Sequence, residues 1–170
     1  METRTYQVYK YQELPREAQE KALENWRIDM DYTFLEEYMN ELLAEKLTKN
    51  KITTESEETS LEYDLSYCQG SHVSFSGRFF LPEYPDYVFN ISRSYNLEIN
   101  YKDDHEHAYE MPDDPEYSKA ENAFLTIYKQ ICKELFDAGR SYIEEEDKEE
   151  NIVAIFDAND YYFTINGKID

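Results

Sequence analysis

Six carboxylates crowd into seven residues near the end of the chain: Glu144, Glu145, Glu146, Asp147, Glu149 and Glu150, relieved only by Lys148. A helix rises about 1.5 Å per residue, so this run approaches the charge density of duplex DNA, about one charge per 1.7 Å. Carboxylates so spaced offer Arg and Lys side chains what a phosphate backbone offers. A second block holds Asp103, Asp104, Asp113 and Asp114, with Glu106, Glu110 and Glu116 among them. Residues 103–160 carry 18 acidic and 5 basic side chains. The alternative reading is a solvated acidic face that keeps the protein soluble. Within the second block, His105 and His107 stand at i and i+2, which on a strand puts both imidazoles on one face. With Asp103, Asp104, Glu106 and Glu110 as oxygen donors, they could hold Zn, Mn or Ni. His72 is the one further histidine, and a polar loop would look the same.

Other chemical signatures are missing. The sequence has no G-x-S-x-G, P-loop, G-x-G-x-x-G or H-E-x-x-H motif, and its four glycines leave no phosphate-cradling loop. Ser71 and His72 are neighbours in sequence, which fixes no nucleophile–base geometry. Carboxylate pairs are too numerous for one to stand out as acid and base. No catalytic residue and no cofactor is therefore expected.

Charge narrows the function further. Among 170 residues, 38 are acidic and 17 basic, for a net charge of −21. A chain of this sign repels phosphates, so direct nucleic-acid binding and docking to an anionic membrane are both disfavoured. Disorder is also excluded, because 41% of residues are hydrophobic and 17 are tyrosines. Cys68 and Cys132 form no C-x-x-C unit, and Met1-Glu2-Thr3-Arg4 opens without an apolar leader. A reducing, cytoplasmic setting is expected.

The elements that must position these residues follow from periodicity. Residues 4–11 are rich in Tyr and Val and predict a strand. Beyond Pro15, Ala18, Ala22, Trp26 and Met30 make a helical stripe. A second helix is predicted over 33–48, with Phe34, Leu35, Tyr38, Leu42 and Leu47 inward, then a loop over 49–58. Leu61, Tyr63, Leu65 and Tyr67 alternate with polar residues, as do Val73, Phe75, Gly77 and Phe79, which predicts a hairpin around Gln69-Gly70-Ser71. Pro82 and Pro85 break the pattern; Tyr95, Leu97, Ile99 and Tyr101 resume it, and Tyr109 and Met111 suggest a short return strand. A long helix after Pro115 carries Tyr117, Ala120, Phe124, Ile127, Tyr128, Ile131, Leu135, Ala138 and Tyr142 on one stripe, with Gly139 as a possible bend. Ile152, Ile155 and Phe156 mark a last helix, and Tyr161, Phe163 and Ile165 a closing strand before Asn166-Gly167. The stripe tyrosines are expected in the core, whereas Tyr32, Tyr84, Tyr87, Tyr109 and Tyr162 are expected at the surface, where Tyr favours partner contacts. The whole, 1–170, is expected to be a single α+β domain: an antiparallel sheet of about four to six strands with helices packed on one face.

The opening Tyr9-Lys10-Tyr11-Gln12-Glu13-Leu14-Pro15-Arg16-Glu17-Ala18-Gln19-Glu20-Lys21-Ala22 resembles that of small acidic proteins encoded by bacteriophages and prophages, in which a short strand precedes an E-L-S-x-E-A-x-x-K-A helix start. Pro15 departs from the usual capping Ser, so this helix must be capped differently. Tyr63-Asp64-Leu65-Ser66-Tyr67-Cys68-Gln69-Gly70, Val73-Ser74-Phe75-Ser76-Gly77 and Ala158-Asn159-Asp160-Tyr161-Tyr162-Phe163 extend the resemblance in patches. It implies a phage or mobile-element origin and carries over no catalytic residue. Some such relatives are antitoxin-like, and small acidic phage proteins often inhibit defence nucleases, in several cases by imitating DNA.

The leading expectation is thus a phage-encoded inhibitor of a nucleic-acid-directed defence system, anti-CRISPR or antirestriction. Glu144, Glu145, Glu146, Asp147, Glu149 and Glu150, with Asp103, Asp104, Asp113 and Asp114, would meet a basic groove of an effector protein. The alternatives are an antitoxin-like module that neutralises a basic partner and a metal-dependent enzyme built on His105 and His107.

Overall fold

A computed structural model of the chain describes residues 7–55, 59–66, 68–92, 96–102 and 115–170. Among them are four α-helices and a five-stranded antiparallel sheet, an α+β fold as the sequence predicts. The chain divides into two compact units, the first made of Met1–Thr33 with Ser141–Asp170 and the second of Phe34–Arg140.

In the second unit, helix α2 (Leu35–Lys49) leads into strands β1 (Thr53–Thr54), β2 (Ser60–Asp64), β3 (His72–Phe80), β4 (Tyr87–Ile91) and β5 (Leu97–Tyr101). Strand β3 is the hub: it pairs with β2 from Ser60↔Ser76 to Asp64↔His72, with β1 at Thr53↔Phe80, and with β4 at Phe79↔Phe89. β5 completes the sheet beside β4. Helix α3 (Pro115–Glu146) lays its aromatic stripe on this sheet. Phe124 stacks on Phe89 at 4.5 Å between ring centres, and Tyr128 lies 4.4 Å from Phe75. Gly139 lies within α3 and is buried. A Cβ there would stand 2.6 Å from Leu65 Cδ1 and 2.9 Å from Met39 Sδ, so it marks a close contact within a continuous helix.

Several expectations need correction here. The inward face of α2 is Leu35, Met39, Leu43 and Leu47, a strict four-residue step, while Phe34 precedes the helix and is 66% exposed. Strand β4 carries no period-two signal because its run Tyr87-Val88-Phe89 is apolar and buried throughout. Tyr87 accordingly belongs to the core. Tyr67, Tyr95, Tyr109 and Met111 lie outside the described residues.

The first unit is built on α1 (Arg16–Asp29) and α4 (Glu149–Ala158). Ala18, Ala22 and Leu23 from α1 meet Ile152 and Phe156 from α4, with Tyr11, Leu14 and Phe163 closing the cluster. Pro15 precedes α1 with extended backbone and no side-chain cap; its carbonyl accepts from the Ala18 and Gln19 amides. Among the described residues, which leave out Arg4, Thr5 and Tyr6, the two strands predicted at the ends of the chain reduce to isolated bridges. Tyr9 and Phe163 exchange both backbone hydrogen bonds at 2.9 and 2.8 Å, and Phe163 also bridges to Ile169. A 3₁₀ turn over Tyr11–Glu13 follows at once, drawing Tyr11 into the core and ending any extended run.

Candidate functional site

The acidic run around residue 147 falls where two helices of the first unit meet. Glu144, Glu145 and Glu146 form the last turn of α3, Asp147 and Lys148 make the link, and Glu149 and Glu150 open α4. α3 ends because Lys148 is extended; its carbonyl accepts from the Asn151 and Ile152 amides and so starts the next helix. The Asn151 side-chain amide Nδ2 closes the corner by donating to the Glu145 backbone carbonyl at 2.7 Å.

Electrostatically the two sides of the corner differ. Glu149 and Glu150 lie at the positive end of the α4 dipole, where carboxylates are favoured. The last turn of α3 holds three glutamates and no basic residue, at the negative end of a 32-residue helix, where each carboxylate is disfavoured.

Half of the run also serves the fold. Asp147 accepts the Tyr32 phenol at 2.8 Å, and its backbone carbonyl takes Arg27 Nη2 and Nε at 2.8 and 3.1 Å. Glu149 accepts the Tyr11 phenol at 3.0 Å and lies 3.6 Å from Arg16 Nη1. Glu145 pairs with Lys148 at 2.6 Å, which holds its carboxyl below the usual range and raises the lysine. Burial, and then these carboxylates, push the phenols of Tyr11 and Tyr32 up to about 12. Glu144 and Glu150 are exposed and Glu146 is half-buried. The corner therefore presents acceptor oxygens and negative charge rather than a nucleophile beside a base.

The partners of this run, Tyr11, Arg16, Arg27 and Tyr32, carry no sequence signal that links them to it. They lie more than a hundred residues away in sequence, so no local spacing could have signalled them. Asp103, Asp104, Asp113 and Asp114 lie outside the described residues, as do His105 and His107. Among the described residues no group of three or more His, Cys, Asp and Glu side chains is placed to hold a metal ion. Among the described residues no helix is long and apolar enough to cross a membrane. Comparison with protein-family models, with curated proteins and with solved structures returned no match.

Proposed function

We propose that this protein is a phage-encoded inhibitor that occupies a basic nucleic-acid groove of a bacterial defence effector, of the CRISPR or restriction kind, through the acidic corner at Glu144–Glu150. One observation carries the reading. Glu144, Glu145 and Glu146 occupy the end of α3, where the helix dipole favours cations and folding alone would select Lys or Arg. Negative charge kept against that preference, in a chain of net charge −21, suits a surface that meets a cationic partner. Glu150 extends the charge onto α4. The sequence resemblance to small acidic phage proteins supports the same reading.

The partition of the run shapes the test. A Glu144→Lys/Glu146→Lys/Glu150→Lys variant reverses outward charge and leaves the Tyr11, Tyr32 and Lys148 contacts intact. Glu37→Lys/Glu41→Lys/Glu45→Lys on exposed positions of α2 is the matched control. Plasmid transformation is measured in strains carrying a CRISPR or restriction system, and DNA displacement from the purified effector is followed over a range of salt. The native chain and the control should restore transformation and displace DNA most strongly at low salt. The corner variant should do neither. Inhibition that survives in the corner variant would overturn the mechanism, and a native chain that protects against none of these effectors would overturn the function.

A further inference from the structure

Away from the acidic corner, the first unit contains a cleft of about 630 Å³ between α1 and the C-terminal turn, within the size range of small-molecule sites. Gly167 sets its base. This residue has φ +77°, and a Cβ there would stand 2.1 Å from the Ala18 carbonyl oxygen, so bare backbone of the turn rests directly on α1.

The lining joins two chemistries. Trp26, Ile28 and Ile169 supply the apolar wall, and Ile28 is left 74% exposed. Lys21 from α1 and Lys168 from the turn supply ammonium groups, and neither forms an ion pair among the described residues. Asp29 is the one carboxylate among the lining side chains, so the cleft is locally cationic in a strongly anionic chain. Trp26 is held edge-on to Phe156 at 5.2 Å and near Tyr161 at 5.8 Å. Its Nε1–H is buried with no hydrogen-bond partner among the described residues. A buried donor left unmet is uncommon in folded proteins, and this one belongs to a residue that lines the cleft.

We propose that this cleft binds a small amphipathic carboxylate, with its apolar body against Trp26, Ile28 and Ile169 and its carboxylate on Lys21 and Lys168. Apolar contact supplies the affinity, and the two ammonium groups select the anion through charge-assisted hydrogen bonds. The ligand chemistry is shared by straight-chain and aromatic acids, and the test separates them.

The chain has a single tryptophan, so its fluorescence reports Trp26 alone. The purified full chain is titrated with octanoate and with phenylbutyrate, and with octanol and phenylbutanol as their uncharged counterparts. At least one acid should change the emission saturably and bind about tenfold more tightly than its alcohol, as loss of a charge-assisted contact implies. A response to octanoate alone assigns a straight-chain acid, and a response to phenylbutyrate alone an aromatic one. Lys21→Ala/Lys168→Ala should abolish the preference for the acid while the circular dichroism spectrum stays unchanged, since both lysines are exposed. Asp29→Asn should tighten acid binding. The proposal falls if neither acid gives a saturable change at millimolar concentration. It falls equally if acid and alcohol bind alike, or if the double variant keeps the preference.

Discussion

Tyr32 donates its phenol hydrogen to Asp147 at 2.8 Å, across 115 residues of sequence. Tyr11, part of the unit's core, makes the equivalent bond to Glu149 at 3.0 Å. A phenol leaving water needs an acceptor, and a carboxylate is the strongest the chain can supply. Part of what reads in sequence as surplus charge is therefore framework. Reversing the whole run would disturb folding and recognition together.

The phenols give that framework a signature in pH. Their pKa rises from 10.0 to about 12 in the folded chain, mainly through burial and then through the carboxylate acceptors. The folded state binds these protons more tightly, so the stabilisation is complete below about pH 10 and is lost as pH climbs toward 12. Tyr11→Phe and Tyr32→Phe should each lower stability by about 0.5–1.5 kcal/mol at neutral pH, the worth of a typical hydrogen bond. The double variant should also lose urea resistance less steeply between about pH 10 and 12. Urea midpoints across that range check both statements, and an unchanged slope would show that other groups carry the alkaline transition.

Glu146→Gln should act in the opposite direction. It removes one carboxylate from the end of α3 without changing side-chain shape, and should raise stability by about 0.3–1 kcal/mol at low ionic strength. The gain should shrink in high salt, which thermal melts at two salt concentrations would show. Stability gained with inhibition lost is the trade-off expected where charge is kept for binding.

The parts of the fold legible in sequence are those in which apolar and polar residues fall on opposite faces of an element. α3 shows its stripe from Ala120 to Leu135 because its burial is one-sided, and β3 shows its alternation because Ser74 and Ser76, although buried, set polar side chains between Val73, Phe75 and Gly77. β4 stayed hidden, since Tyr87, Val88 and Phe89 are all covered. The terminal segments have strand composition, but among the described residues Tyr9, Phe163 and Ile169 are joined only by isolated bridges. At the candidate site, the acidic run and its helical setting could be read directly. The engagement of Glu149 by Tyr11 and of Asp147 by Tyr32 could not, because it depends on contacts between distant stretches of chain.

Tyr128 tests how α3 is fixed to the sheet. Its hydroxyl accepts from the Phe75 amide at 3.2 Å and donates to the Phe75 carbonyl at 3.0 Å. β4 pairs only with residues 77–79 of β3, so Phe75 lies beyond its reach and the phenol takes the place of a strand. Tyr128→Phe keeps the ring contacts and leaves both backbone groups unmet, which should cost about 1–3 kcal/mol. Hydrogen exchange at the Phe75 amide should accelerate more than at Phe79. Equal acceleration across β3 would mean that the hydroxyl adds only to global stability.

Gly167→Ala should be the most damaging single methyl in the first unit. The residue sits at φ +77°, where a Cβ is strained, a cost of about 1–2 kcal/mol. The added carbon would also meet the Ala18 carbonyl oxygen at 2.1 Å and the Ala22 amide nitrogen at 3.2 Å, both rigid helix backbone. Relief requires the turn to lift off α1, adding about 1–3 kcal/mol of overpacking. A total loss of about 2–5 kcal/mol is expected. Because Trp26 lines the cleft that this turn closes, its emission should shift to the red in the folded variant. Asn166→Ala, one residue away and exposed, should leave both readings close to those of the native chain. A Gly167→Ala variant with native stability and native emission would mean that the turn does not rest on α1 as described.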